Sequence, residues 1–254
     1  QIQRDSNLFR LPAGVDPRLV LGRDSAAETV GVRSLSVGFD KRYSLQRVQA
    51  EASLVGYAYQ RFPQYDLLAQ NYRLDWDWAY TPELRGRLYA TQQETVNSFD
   101  DTQSLTGENR RVRRQHGLEL RYGHDGAWQL QGALHRSLDD NDLSQFGENG
   151  YRQITVEGGV QRRFASGNRA TLRLRRNSGQ NLDLSPGQDD YRQSDLVLDL
   201  HWRASGKTDV DAQLSQLWRS HPDEPAMDFS GHQASINLTW RASGKTAWTL
   251  SGAT

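Results

Sequence analysis

Trp202-Arg203-Ala204-Ser205-Gly206-Lys207-Thr208 returns almost verbatim as Trp240-Arg241-Ala242-Ser243-Gly244-Lys245-Thr246, and a looser copy, Phe164-Ala165-Ser166-Gly167-Asn168-Arg169, precedes both. Each copy is an aromatic residue, a Ser-Gly pair and then a new alternating run. Self-similarity at a fixed period marks a repeated supersecondary unit. Here the unit is a β-hairpin whose short turn is flagged by an aromatic ring, with Ser205-Gly206 expected to reverse the chain.

Working outward, the same grammar covers the chain. Val48, Ala50, Ala52, Leu54, Gly56 and Ala58 alternate with Arg47, Gln49, Glu51 and Ser53. Tyr72, Leu74, Trp76, Trp78 and Tyr80 alternate with Asn71, Arg73, Asp75 and Asp77. His116, Leu118, Leu120 and Tyr122 alternate with Arg113, Gln115, Glu119 and Arg121. Strict period-2 alternation is the signature of strands with two unlike faces. Short turns are expected at residues 40–43, 81–83, 124–126, 166–167, 205–206 and 243–244, about 40 residues apart. Between them lie polar loops of roughly ten residues, including 60–68, 97–108, 138–149, 177–190 and 219–228. Residues 1–11 read as an extended segment and 12–25 as a loop. Counting that first segment gives about 13 strands in a single domain over residues 1–254.

The 254 residues carry 31 Lys plus Arg and 31 Asp plus Glu, so net charge does not mark a nucleic-acid partner. Cysteine is absent, which excludes disulfides and thiolate metal sites. Hydrophobic residues make up 36% and mean hydropathy is −0.80, too polar for a soluble core of this length, yet there are 7 Trp, 10 Tyr and 7 Phe. No apolar run reaches the roughly 20 residues of a membrane helix. A transmembrane β-barrel resolves the conflict, because only every second residue of each strand meets lipid.

The aromatics point the same way. Trp78, Tyr80, Tyr122, Trp128, Phe164, Trp202, Trp240 and Trp248, with Phe39, crowd the short turns, while Tyr57, Tyr59, Tyr72, Tyr151, Tyr191, Trp218 and Phe229 lie near the long loops. Two such sets flanking Leu, Val, Ala and Gly read as the two girdles of a bilayer-spanning barrel. The expected fold is therefore all-β, an antiparallel up-and-down transmembrane barrel with short periplasmic turns and longer extracellular loops. It is integral to the outer membrane of a Gram-negative bacterium, with outer-membrane lipid as its first partner. The odd strand count, the start at Gln1 without a signal peptide and the unfinished run at Thr254 lead to the expectation of a portion of a larger barrel.

The opposite face is ionised. Arg85, Arg87, Arg113, Arg121, Arg163, Arg173 and Arg175 fall on it, and so do the acids Asp75, Asp77, Asp195, Asp199, Asp209 and Asp211. The arginines can form a basic wall attracting carboxylated or sulfated polymer, or be neutralised by acids on neighbouring strands. The pairs Asp75/Asp77 and Asp209/Asp211 also admit acid–base work on a sugar, against ordinary lumen polarity. Gly206-Lys207-Thr208 echoes a phosphate-binding loop, but His201 stands where that loop needs its first glycine. The six histidines show no metal-ligand spacing. No catalytic residue, cofactor or metal is read from the sequence.

Several stretches resemble the EpsL-like outer-membrane barrels of exopolysaccharide gene clusters: residues 4–12 (RDSNLFRLP), residues 38–47 (GFDKRYSLQR), Asn71-Tyr72 with Trp76 and Trp78, Glu108-Asn109-Arg110-Arg111, and residues 164–168 (FASGN). The resemblance implies export of a polysaccharide chain across the outer membrane, as channel or scaffold, beside periplasmic export components, and it brings no catalytic residues. A general diffusion porin, an outer-membrane enzyme and a soluble all-β binding protein are the alternatives.

Overall fold

A computed structural model describes residues 1–96, 110–124, 126, 128–141, 150–182 and 190–254. The expected loop 97–108, residues 142–149 of the expected loop 138–149, residues 183–189 of the expected loop 177–190, Glu108-Asn109 and the turn residue Asp125 lie outside the described residues. Residues 138–141 and 177–181, expected as loop, are strand because their pairing continues to Asn141 and Asn181. The strands are β1 (Ile2–Asp5), β2 (Glu28–Tyr43), β3 (Gln46–Tyr59), β4 (Leu67–Ala79), β5 (Leu84–Val96), β6 (Arg110–Tyr122), β7 (Trp128–Asn141), β8 (Tyr151–Arg163), β9 (Arg169–Asn181), β10 (Tyr191–Ser205), β11 (Thr208–Ser220), β12 (Phe229–Ser243) and β13 (Thr246–Ala253). They form one sheet in sequence order, each antiparallel to the next. Among the described residues β1 and β13 do not pair, so the sheet is an open wall.

The cross-strand register carries the alternation from strand to strand. One row runs Trp78, Gly86, Leu120, Gly132, Gly158, Leu174 and Leu196; the next runs Leu84, Tyr122, Leu130, Val160, Leu172, Leu198 and Leu214. This face is largely exposed, with Tyr122 and Leu174 at 58% in these rows and Leu35 at 71% and Leu250 at 70% elsewhere on it. The buried side chains in the middle of the sheet are mostly polar, among them Asp75, Gln129, Gln161, Thr171 and Asp195. An apolar surface of this extent does not stay in water. A wall that is aliphatic outside and polar inside is built for lipid on one face and a wet lumen on the other. Of the nine aromatics near the short turns, Phe39, Trp78, Tyr122, Trp128, Trp202, Trp240 and Trp248 occupy outward strand positions, and Tyr80 and Phe164 lie exposed just past their strands' ends. No described helix is long and apolar enough to cross a membrane, and the barrel crosses with strands.

Three local expectations are corrected. The first short turn is Ser44-Leu45, because β2 stays paired through Tyr43 and Ser44 takes a φ of +52°. In the repeat, Ser205 and Ser243 are the last strand residues and the turns are Gly206-Lys207 and Gly244-Lys245. Each serine Oγ accepts the lysine N–H, at 3.2 and 3.3 Å, closing the turn from its edge. The long-loop aromatics do not form a second outward girdle. Register places Tyr57, Tyr59, Tyr151, Tyr191 and Phe229 on the charged face, leaving Tyr72 and Trp218 outside. Proximity to a loop does not set a face; parity along the strand does.

A hydrophobic cluster sits at the long-loop end, where residues 6–27 connect β1 to β2. Leu8, Phe9, Val30, Tyr59, Phe62 and Tyr65 are buried together, with Phe9 edge-on to Phe62 at 4.9 Å. The RDSNLFRLP stretch builds it by side-chain-to-backbone bonds. Asp5 Oδ1 accepts the Asn7 N–H at 2.9 Å and its carboxylate takes both contacts of Arg10 at 2.8 Å. Asn7 exchanges two 2.9 Å bonds with the Leu11 backbone, which turns Leu8 and Phe9 inward. Buried Glu28 accepts the N–H groups of Arg61 and Phe62 at 3.0 and 2.9 Å. The segment Pro12–Ser25, read as loop, carries the short helix α1 (Pro17–Leu21), capped by Asp16 and closed by Gly22 at φ +65°.

Leu172→Arg, at the middle of the outward aliphatic band, is expected to cost about 2–4 kcal/mol in urea unfolding from lipid vesicles, while Ser235→Arg on the inner face costs under about 1 kcal/mol. Phe9→Ala is expected to open the residue 6–27 connection to protease without loosening the strands, since it removes a ring from the cluster alone. The Asn7 N–H and then Arg10 hold the Asp5 carboxyl below its ordinary range. Its contribution to closing this segment is therefore complete above that ordinary range and lost as pH falls through the lowered value, readable as acid-induced protease sensitivity.

Candidate functional site

The inner face is a field of guanidinium–carboxylate contacts, and each expected residue has a definite place in it. Asp75 is almost fully buried between Arg73, at 2.7 Å, and Arg87, which also approaches Asp77 at 3.9 Å. Arg113 and Arg111 share Asp139 at 2.8 and 2.7 Å. Arg173 joins Glu157, at 3.4 Å, to Asp199, and Arg175 adds to Glu157 at 2.9 Å. Asp209 lies between Arg203, at 3.5 Å, and Arg241, while Asp211 accepts from His201 Nδ1 at 2.7 Å. Asp195 is bound by amides instead, Gln193 at 2.8 Å and Asn177 at 3.2 Å. Arg163 closes β8 opposite Arg169, and Arg85 and Arg121 stand side by side on β5 and β6.

The arginines and acids thus do not occupy separate walls. Opposite charges alternate across neighbouring strands, and a charge with its partner 3 Å away projects little field. Neither Asp75/Asp77 nor Asp209/Asp211 is a free carboxylate pair facing a substrate, since Arg87, Arg73, Arg241, Arg203 and His201 occupy them. Among the described residues no three His, Asp or Glu side chains converge as metal ligands.

Positive charge nevertheless collects in one place. A groove of about 740 Å³ on the inner face of β2–β8, toward the short turns, is lined by Arg42, Arg47, Arg85, Arg87 and Arg121 against Asp77, Glu119 and Glu157. Neutral hydrogen-bonding side chains continue beside it. Gln131 donates to Gln161 at 2.9 Å, Gln161 donates to Gln129 at 3.1 Å, and the Tyr89 hydroxyl meets His135 Nδ1 at 2.9 Å. Nearer the long loops Tyr151 donates to the Tyr191 hydroxyl at 2.5 Å, and the Arg219 guanidinium lies 4.5 Å from the Tyr191 ring centre. Sequence reading missed Tyr151 and Tyr191 as lumen groups because it assigned them by nearness to loops, and it placed Tyr89 in neither aromatic set. Glycine makes room for them: a Cβ on Gly117 would lie 2.2 Å from the Tyr89 ring, and one on Gly179 would lie 2.3 Å from Tyr151 Oη. An array of arginine, amide and tyrosine along a wet face offers many weak, interchangeable hydrogen-bonding and stacking contacts.

No family model and no curated protein matches the chain. Solved structures do. The ferric enterobactin receptor PfeA of Pseudomonas aeruginosa, as a double mutant, superposes with a TM-score of 0.61 at 13% identity, over 89% of this chain and 41% of that one. The siderophore receptors PirA of Pseudomonas aeruginosa and of Acinetobacter baumannii superpose with TM-scores of 0.55 and 0.53 at 14% and 12% identity. Each match covers 89% of this chain and 41% or 40% of the receptor, so the chain spans about two-fifths of their length. At these identities the likeness defines the fold. It is that of an outer-membrane β-barrel, with strands running antiparallel and up and down.

Asp75→Asn, which leaves Arg73 and Arg87 without their shared carboxylate, is expected to cost about 1–2 kcal/mol, below the figure for a fully enclosed pair because both guanidiniums keep water. Asp77→Asn, exposed and 3.9 Å from Arg87, should stay within about 0.5 kcal/mol. Urea unfolding from vesicles at one salt concentration compares the two.

Proposed function

We propose that the chain forms part of the wall of an outer-membrane channel or scaffold that passes an anionic exopolysaccharide across the outer membrane. The observation that carries this reading is the lining of the inner face. Its groove gathers five arginines against three carboxylates, and amides and tyrosines extend it along the wall. A moving polymer needs repeated shallow contacts of this kind, since one deep site would hold it in place. Neutralised charge suits passage too, because an unbroken row of unpaired arginines would bind a polyanion too tightly to release it. The resemblance of residues 4–12 and 38–47 to the EpsL-like barrels supports the same substrate class. The protein is read as a transport component and no reaction is assigned to it.

The fold neighbours favour a second reading, reception of a small ferric chelate. Two experiments separate them. Deleting the gene is expected to abolish secreted polymer and leave ferric-siderophore uptake unchanged, and the opposite pattern would transfer the reading to reception. In the reconstituted full-length protein, oligouronates should bind or block more strongly than neutral oligosaccharides of equal length. Arg85→Ser with Arg121→Ser should remove most of that difference. Equal response to charged and neutral sugars would refute an anionic cargo.

A further inference from the structure

The outer face carries a second set of arginines, and its chemistry is the reverse of the inner set. Arg114 on β6, Arg136 on β7, Arg152 on β8, Arg176 on β9 and Arg192 on β10 each stand at an outward position. Register seats them opposite Leu138, Ile154, Val156 and Ser178. Each of five consecutive strands contributes one to a patch roughly 19 Å wide at strand spacing, with Arg110 nearer the long loops on β6 and Arg162 nearer the short turns on β8 on the same face. Each stands on the long-loop side of its strand's main aliphatic run: Leu118 and Leu120 follow below Arg114, Leu134 below Arg136, Val156 and Val160 below Arg152, Leu172 and Leu174 below Arg176, and Leu196 and Leu198 below Arg192, with Val112 and Leu138 beyond Arg114 and Arg136.

Inside, most arginines hold a carboxylate. On this face none of the five has a carboxylate within ion-pair distance among the described residues. Arg114 donates to Gln92 Oε1 at 2.8 Å, and Arg152 keeps a buried Nε with no hydrogen-bond partner. The nearby outward acids do not neutralise them. Glu94 accepts from the Gln70 N–H and from Gln92 Nε2, and Asp140 lies beyond Leu138 toward the long loops. Below Arg136 and His116 an apolar depression of about 700 Å³ crosses the outer face over Leu74, Trp76, Leu88, Leu118 and Leu134. Arg136 borders this apolar slot, and guanidinium groups at the membrane interface with no carboxylate beside them among the described residues lack two things: an anion with several acceptor oxygens, and a hydrocarbon chain attached to it.

We propose that the outer face of β6–β10 is a binding site for a phosphate-bearing lipid of the extracellular leaflet. The phosphate is held by Arg136 with Arg114, Arg152 and Arg176, and an acyl chain lies in the slot under His116. The inference rests on the outer-membrane barrel fold alone and stands whether or not the cargo is a polysaccharide.

The test uses the full-length protein, purified in mild detergent and offered three probes at equal concentration: a bis-phosphorylated diglucosamine lipid, the same lipid with its phosphates removed, and inorganic phosphate. Lipid retention is read by native mass spectrometry. The unmutated protein is expected to retain the phosphorylated lipid at least about tenfold over the dephosphorylated one, the scale of a single charge-assisted contact. Inorganic phosphate should fail to displace it. Arg136→Ser with Arg176→Ser should abolish the preference, while Arg113→Ser on the inner face should leave it intact. Equal retention of the two lipids overturns the proposal, as does an undiminished preference in the outer-face variant. Full displacement by inorganic phosphate overturns it in favour of a simple anion site. The comparison of lipids on the unmutated protein decides the matter even where a variant fails to insert.

Discussion

Every strand here has to satisfy two solvents at once, and the two-residue period of the extended chain is the only means of doing so. A residue and its second neighbour share a face, so Leu118 and Leu120 go to lipid while Glu119 and Arg121 go to water. The antiparallel ladder then fixes that division across the whole wall, because a slip of one residue would exchange the faces. Buried Asp75 and exposed Leu174 follow from that one constraint. So does the low hydrophobic fraction, since each strand requires apolar character at only half its positions. The charged face must in turn be wet or paired, and the guanidinium–carboxylate contacts are how it is paired where neighbouring strands crowd out water.

Much of this fold was legible in the sequence because period 2 is a local property. Runs such as Tyr72-Leu74-Trp76-Trp78 state their face without reference to anything distant, and the Trp-Arg-Ala-Ser-Gly-Lys-Thr repeat marks where a strand ends. What was not legible depended on pairing partners. Asp139 between Arg111 and Arg113, or Glu157 between Arg173 and Arg175, requires the register of β6 with β7 and of β8 with β9, which no single strand encodes. Parity was available for Tyr151 and Tyr191 but was set aside for nearness to a loop, and the misassigned girdle followed. The cluster around Phe9 was beyond a periodic reading altogether. It is built by Asp5 and Asn7 bonding to backbone in a stretch with no period.

The inner and outer arginines show one residue type set to opposite purposes by its neighbours. Arg173, between Glu157 and Asp199, is part of the fabric of the lumen. Arg136, opposite Ile154 and His116, has no acid in reach among the described residues, which leaves its charge open to an anion from outside the chain. Composition cannot distinguish them, and overall neutrality conceals the asymmetry, because carboxylates are concentrated on the inner face. The groove near the short turns and the patch near the long loops are two regions where, among the described residues, arginines outnumber the carboxylates that line them, and they lie on opposite faces and toward opposite ends of the wall.

Strand order in space is strand order in the chain, without exception from β1 to β13. Among the described residues each strand pairs only with its sequence neighbours, and successive short turns are tied directly, as where Asn168 Oδ1 accepts the Arg203 backbone N–H at 2.8 Å. Circumference is therefore a quantity that the gene can alter in whole steps. Duplicating or deleting one unit of about 40 residues widens or narrows the bore by two strands and preserves every other pairing.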